Sequence, residues 1–128
     1  MELKHKGRRI LIVDDDEIIA KLIGTLVSKL GCQVVTARSV EDGLRGFKKS
    51  HFDAIFMDIY MAGMGGIEGI RLVRAKDPDV PVIAMSAGFG TSMREKTLRA
   101  AEIVGATVSL LKPFSGKDVF DTLDRVWG

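Results

Sequence analysis

Apolar residues in this 128-residue chain come in two kinds of segment that take turns from one end to the other. One kind is a short run: Ile10-Leu11-Ile12-Val13, Val34-Val35-Thr36-Ala37, Ala54-Ile55-Phe56-Met57, Val80 to Met85, and Val108-Ser109-Leu110-Leu111. Runs that stay largely apolar instead of alternating suit parallel strands covered on both faces. In the other kind, apolar residues recur at helical spacing. Ile18, Ile19, Leu22, Ile23, Leu26, Val27 and Leu30 mark a first helix stopped by Gly31. Val40, Leu44 and Phe47 mark a second, opened by a Ser39-to-Asp42 capping box and ending near Ser50. Ile67, Ile70 and Val73 give a third its apolar face, and Asp77-Pro78-Asp79 closes it. A fourth is predicted from the capping box at Ser92-Met93-Arg94-Glu95 to about Val104. The last follows Ser115-Gly116-Lys117-Asp118, with Val119, Phe120, Leu123, Val126 and Trp127 as its core face.

Five strand-helix units with short connections imply a parallel sheet with right-handed crossovers and helices on both faces. The chain is far too short for an eight-fold barrel. The expected fold is α/β, a doubly wound (βα)5 sheet of order 2-1-3-4-5, flavodoxin-like. Residues 1–128 read as a single domain, without a linker to an output domain. Proline near the start of the Val80 run is where a strand tolerates one.

Composition narrows the function classes. A net charge of +2 with scattered basic residues gives no electrostatic footprint for nucleic acid. The single cysteine, Cys32, excludes an internal disulfide and reads as a small buried residue, with a reducing cytoplasm as the default setting. The basic start of the chain lacks a signal-peptide core, and no segment reaches membrane-spanning length. His5 and His51 read as solvated surface residues.

Candidate chemistry gathers at the strand ends. The first strand runs into Asp14-Asp15-Asp16-Glu17, the third into Asp58, the fourth into Ser86 and the fifth into Lys112. Asp16 and Glu17 are explained by the dipole at a helix N-terminus; Asp14 and Asp15 precede the helix proper. In a parallel sheet these ends share one edge, and with order 2-1-3-4-5 the first and third strands flank the switch point. Three carboxylates brought together there repel unless a cation lies among them. An all-oxygen set with room for water suits Mg²⁺ better than zinc. A lysine ammonium and a serine hydroxyl would complete a cradle for phosphoryl oxygens, and a carboxylate can be the attacking nucleophile.

The Asp14-Asp15 pair after ILIV, Asp58 after AIFM, the Met61-x-Gly63-Met64-x-Gly66 loop, Ser86-Ala87 and Lys112-Pro113-Phe114 resemble the receiver domain of two-component response regulators, the family that includes the chemotaxis regulator. The resemblance spans Arg9 to Trp127. It implies that Asp58 accepts a phosphoryl group from a sensor histidine kinase or a histidine phosphotransferase. It further implies that Asp14, Asp15, Asp58 and the backbone carbonyl of Tyr60 hold Mg²⁺. Ser86 and Lys112 would bind the phosphoryl oxygens, and the bond before Pro113 would be cis. Such a domain is not an enzyme beyond its own phosphorylation and dephosphorylation. A kinase or phosphotransferase would dock over the site edge and the first helix. A downstream protein would dock on the face of the fourth helix, fifth strand and fifth helix, among Arg94, Lys96, Arg99, Lys117 and Phe120.

Three positions depart from the family pattern. Ala62 stands where proline is common and Gly65 where a polar residue is common. Ser109 stands where an aromatic rotamer switch is common, so any switch is expected in the segment from Gly88 to Thr91 and the following helix. Two alternatives come from other classes. Asp14-x-Asp16 also resembles the nucleophile motif of haloacid-dehalogenase-like phosphatases, which would move the nucleophile to Asp14. A phosphorylation-independent adaptor would use the same fold without the chemistry. A dinucleotide loop is not supported, because Glu68 occupies the last glycine position of the fingerprint.

Overall fold

The computed structural model describes residues 4–61, 63–86 and 91–128, with the side chains of residues 91–95 and 98 left aside. Among the described residues, five strands and five helices alternate. They are β1 (Arg9–Val13), α1 (Glu17–Ser28), β2 (Gln33–Ala37), α2 (Val40–Lys49), β3 (Ala54–Asp58), α3 (Gly66–Lys76), β4 (Val82–Ser86), α4 (Thr91–Val104), β5 (Val108–Leu111) and α5 (Gly116–Trp127). All pairings are parallel, in the order β2-β1-β3-β4-β5.

The sheet divides the core in two because side chains alternate across a strand. Leu11, Val13, Ile55, Met57, Val82 and Ala84 face α2, α3 and α4, meeting Val40, Phe47, Ile70, Val73 and Ala101. Ile10, Ile12, Ala54, Phe56, Ile83 and Met85 face α1 and α5, meeting Ala20, Ile23, Val27, Val119 and Leu123. Every residue of β3 and β4 is buried, as central strands with two covered faces require.

Local signals set most boundaries. Asp16 caps α1, its Oδ1 accepting from the Ile18 amide at 2.9 Å. Ser39 caps α2 with one bond from the Asp42 amide. Ser115 and Asp118 form both bonds of a capping box at α5. Cys32 is buried, as expected.

Four expectations need correction. β4 begins at Val82, not Val80, and Pro81, which has no amide proton to give to a ladder, stays outside the strand. α4 begins at Thr91, so Ser92 stands inside its first turn instead of ahead of it. Ile18 and Leu22, spaced as part of the α1 core stripe, are 79% and 42% exposed, because α1 packs through Ala20, Ile23 and Val27. His5 is buried, not solvated. Its ring lies 4.7 Å from that of Trp127, and its backbone amide donates to the Leu30 carbonyl. Burial and the charges of Arg8 and Lys4 push the His5 imidazole down, against the pull of Asp124. His51 is largely exposed.

Candidate functional site

The carboxyl ends of β1, β3, β4 and β5 bring the predicted residues to one edge. Asp14 follows β1 directly and is buried; one carboxylate oxygen accepts from the Asp16 amide at 2.9 Å. Asp15 next to it is exposed. Asp58 is the last residue of β3 and is only 4% exposed. Carboxylate oxygens of Asp14, Asp15 and Asp58 lie within 4.8 Å of one another. Lys112, one residue beyond β5, reaches into this group. Its ammonium donates to Asp14 Oδ2 at 2.9 Å and lies 3.4 Å from Asp58 Oδ1. The Lys112–Pro113 peptide bond is cis. Ser86 ends β4 fully buried, and its Oγ has no hydrogen-bond partner among the described residues.

Backbone packing places Asp58. The Ile59 amide donates to the Met85 carbonyl at 2.9 Å, and the Gly66 amide returns to the Ile59 carbonyl at 3.1 Å. Gly66 opens α3 against the backbone just vacated by β3. A Cβ there would fall 2.1 Å from the Asp58 carbonyl oxygen and 2.8 Å from the Ile59 Cα. The close approach requires glycine, because neither contact is with a flexible side-chain end. Gly63, with φ of +79°, supplies the left-handed step in the same loop.

The electrostatics follow from this crowding. Burial first, and then the neighbouring Asp14 charge, push the Asp58 carboxyl up to about 6. Lys112 and a hydrogen bond from the Tyr60 backbone amide pull the other way and do not cancel the rise. Burial pulls the Lys112 ammonium down, but the bond to Asp14 and the two carboxylate charges outweigh it and hold it above the ordinary lysine range. The ammonium therefore stays charged and neutralises part of an acidic group that has no other described cation at hand.

The donor set is chemically suited to a hard divalent ion. It is all oxygen, it mixes buried and exposed carboxylates, and Asp15 opens to solvent so that water can complete a shell. Receiver domains bind Mg²⁺ at an acidic cluster of this kind.

One site-edge contact has no signal in the sequence. The Tyr60 hydroxyl hydrogen-bonds Thr97 Oγ1 on α4, across 37 positions of chain. A switch was expected from Gly88 to Thr91 and in the following helix; of that stretch, residues 88–90 lie outside the described residues.

A parallel sheet of order 2-1-3-4-5 with three acids, a serine and a lysine at one edge defines a doubly wound domain with its candidate site at the topological switch point. The family model for the response regulator receiver domain matches residues 10–124. The chain belongs to that family, and so to two-component and phosphorelay signalling. It is 30% identical to protein PilG of Pseudomonas aeruginosa over 125 residues, covering 96% of this chain and 90% of that protein. It is also 30% identical to the chemotaxis protein CheY of Thermotoga maritima, covering 94% and 98%. Other relatives are much longer: the chain is 32% identical to transcription factor SKN7 of Chaetomium thermophilum but spans 16% of its length. Among solved structures, chemotaxis protein CheY4 of Vibrio cholerae superposes with a TM-score of 0.84 at 30% identity, covering 94% of this chain and 98% of that one. Receiver domains partner with histidine kinases or phosphotransferases. No helix among the described residues is long and apolar enough to cross a membrane.

Proposed function

We propose that this chain is a phosphoacceptor receiver that takes a phosphoryl group from a histidine kinase or histidine phosphotransferase onto Asp58. The observation that carries the reading is the Lys112 ammonium set between Asp14 and Asp58, beside the third carboxylate of Asp15. Asp14 is the poorer nucleophile, since it holds the Lys112 ammonium at 2.9 Å against 3.4 Å for Asp58. That disfavours the phosphatase-like alternative.

In the transfer, an Asp58 carboxylate oxygen attacks the phosphorus of a phosphohistidine. The new O–P bond forms as the P–N bond breaks, and the departing imidazole nitrogen keeps the electron pair. With its carboxyl pushed up to about 6, Asp58 is mostly ionised at neutral pH and keeps good basicity as a nucleophile. Lys112 can swing from the carboxylates to the incoming oxygens without changing its charge. Ser86 offers its buried hydroxyl to another of them. Asp14, Asp15, Asp58 and the Tyr60 carbonyl would hold Mg²⁺, which would neutralise charge on the transferring group.

Ile18 and Leu22, exposed on α1 beside the acidic edge, give the phosphodonor protein an apolar footing. The downstream partner is assigned to the face of α4, β5 and α5, where Lys96, Arg99, Lys117 and Leu111 are exposed. Phosphorylation would bias two conformations of that face and so change partner affinity.

Incubation with a small acyl phosphate donor and Mg²⁺, followed by intact mass measurement, tests the reading. One phosphoryl adduct is expected, with formation slowed roughly a hundredfold by EDTA. Uptake that ignores EDTA, or no adduct with Mg²⁺ present, would refute it.

A further inference from the structure

We propose that Tyr60 is the positioning residue through which the acceptor site acts on α4. The inference rests on Asp58 being the acceptor. Two contacts at opposite ends of this one residue carry it. Tyr60 stands two residues past Asp58, and its backbone amide faces the Asp58 carboxylate and helps to hold that carboxyl down. Its phenolic oxygen shares a bond with Thr97 Oγ1, in the second turn of α4. Among the described residues, this side chain gives a path from acceptor to helix.

Tyr60 is 41% exposed, so burial alone does not fix the direction of its ring. The hydroxyl bond supplies the specific tie. The backbone on the acceptor side is held more firmly. Ile59 is clamped by its amide bond to Met85 and by the Gly66 amide on its carbonyl. A change at Asp58 is thus felt at Tyr60, the first residue past the clamp.

Phosphorylation makes such a change. The carboxylate shares one negative charge between two oxygens, both good acceptors. In the acyl phosphate one of them becomes the bridging oxygen, and the negative charge moves outward onto the phosphoryl oxygens. The Tyr60 amide then faces a weaker or displaced acceptor, and the phenol at the other end must follow or release Thr97. Ser109 on β5 offers no comparable route. It has no ring, and its buried Oγ has no partner among the described residues.

The test uses the full chain with an acyl phosphate donor and Mg²⁺. Amide exchange of α4 is followed with and without donor and scaled to the phosphorylated fraction from intact mass. In wild type the exchange of α4 changes on phosphorylation. Thr97→Val is expected to accept the phosphoryl group at the wild-type rate while its α4 response falls about fivefold, the scale of one lost hydrogen bond. Thr97→Ser, which keeps a hydroxyl, restores the response, a rescue that a merely structural role of Thr97 would not give. Tyr60→Phe loses the response per phosphorylated molecule, and the double variant loses no more than either single one. A full α4 response in Thr97→Val or in Tyr60→Phe would overturn the proposal. So would a wild-type α4 that ignores a confirmed adduct. Failure of wild type to take any phosphoryl group would instead bring down the assignment of Asp58, and this inference with it.

Discussion

Lys112→Ala is expected to slow phosphoryl uptake from a small donor by roughly 100- to 1,000-fold, the range found when one preorganised donor to a developing anion is removed. The structure gives the reason in two parts. Lys112 is the only described cation within ion-pair reach of Asp14 and Asp58, at 2.9 and 3.4 Å. Its loss leaves two buried carboxylates facing each other, which pushes Asp58 further above 6 and withdraws the ionised nucleophile at neutral pH. It also removes the charge that would meet the phosphoryl oxygens. Lys112→Arg is not expected to restore the rate, because a planar fork cannot replace a compact ammonium in a site closed around it. A time course of adduct formation by intact mass measures the effect. A rate within about fivefold of wild type would show that Lys112 is only a structural counter-ion.

Asp58→Asn is expected to stabilise the fold in divalent-free buffer at neutral pH, by on the order of 2 kcal/mol. The direction follows from the raised carboxyl. Between the usual carboxylate range near 4 and the folded value of about 6, the folded state binds more protons than the unfolded chain. Stability is therefore fully present below about pH 4 and lost as pH rises through about 6. An asparagine side chain has no charge to bury, so this loss disappears, and the neutral amide is the steadier partner for Asp14 and Lys112. Thermal unfolding from pH 4 to 8 should show wild type losing ground to the variant over that window, with a neutral-pH gap of roughly 5–10 °C. Added Mg²⁺ should raise wild type and narrow the gap. A variant less stable than wild type at pH 8 would mean that the acidic cluster is not strained.

Much of this was legible in the sequence because each signal is local. The apolar runs, the glycine at 31 and the acids at 16 and 118 specify elements within a turn or two of themselves. The polar residues that end four strands acquire a common edge once the strands are parallel. What was missed depends on distant neighbours. Helical spacing marks Ile18 and Leu22 as apolar positions of α1, but the choice of Ala20, Ile23 and Val27 as the packed face is made by α5 and the sheet. His5 looks solvated until Trp127, at the far end of the chain, closes over it. Pro81 lies in an apolar run, and only the ladder reveals that the strand starts after it. The glycines at 63 to 66 suggest a loose loop. In the structure Gly66 is instead a close packing contact against the acceptor's own backbone. The Tyr60–Thr97 bond had no counterpart in any motif, since neither residue type nor spacing marks it.

Whether Asp58 is the acceptor is decided by the intact mass of wild type and Asp58→Asn after saturation with an acyl phosphate and Mg²⁺. A single phosphoryl adduct is expected on wild type and none on the variant. An adduct that survives in Asp58→Asn would contradict it and move the nucleophile to Asp14.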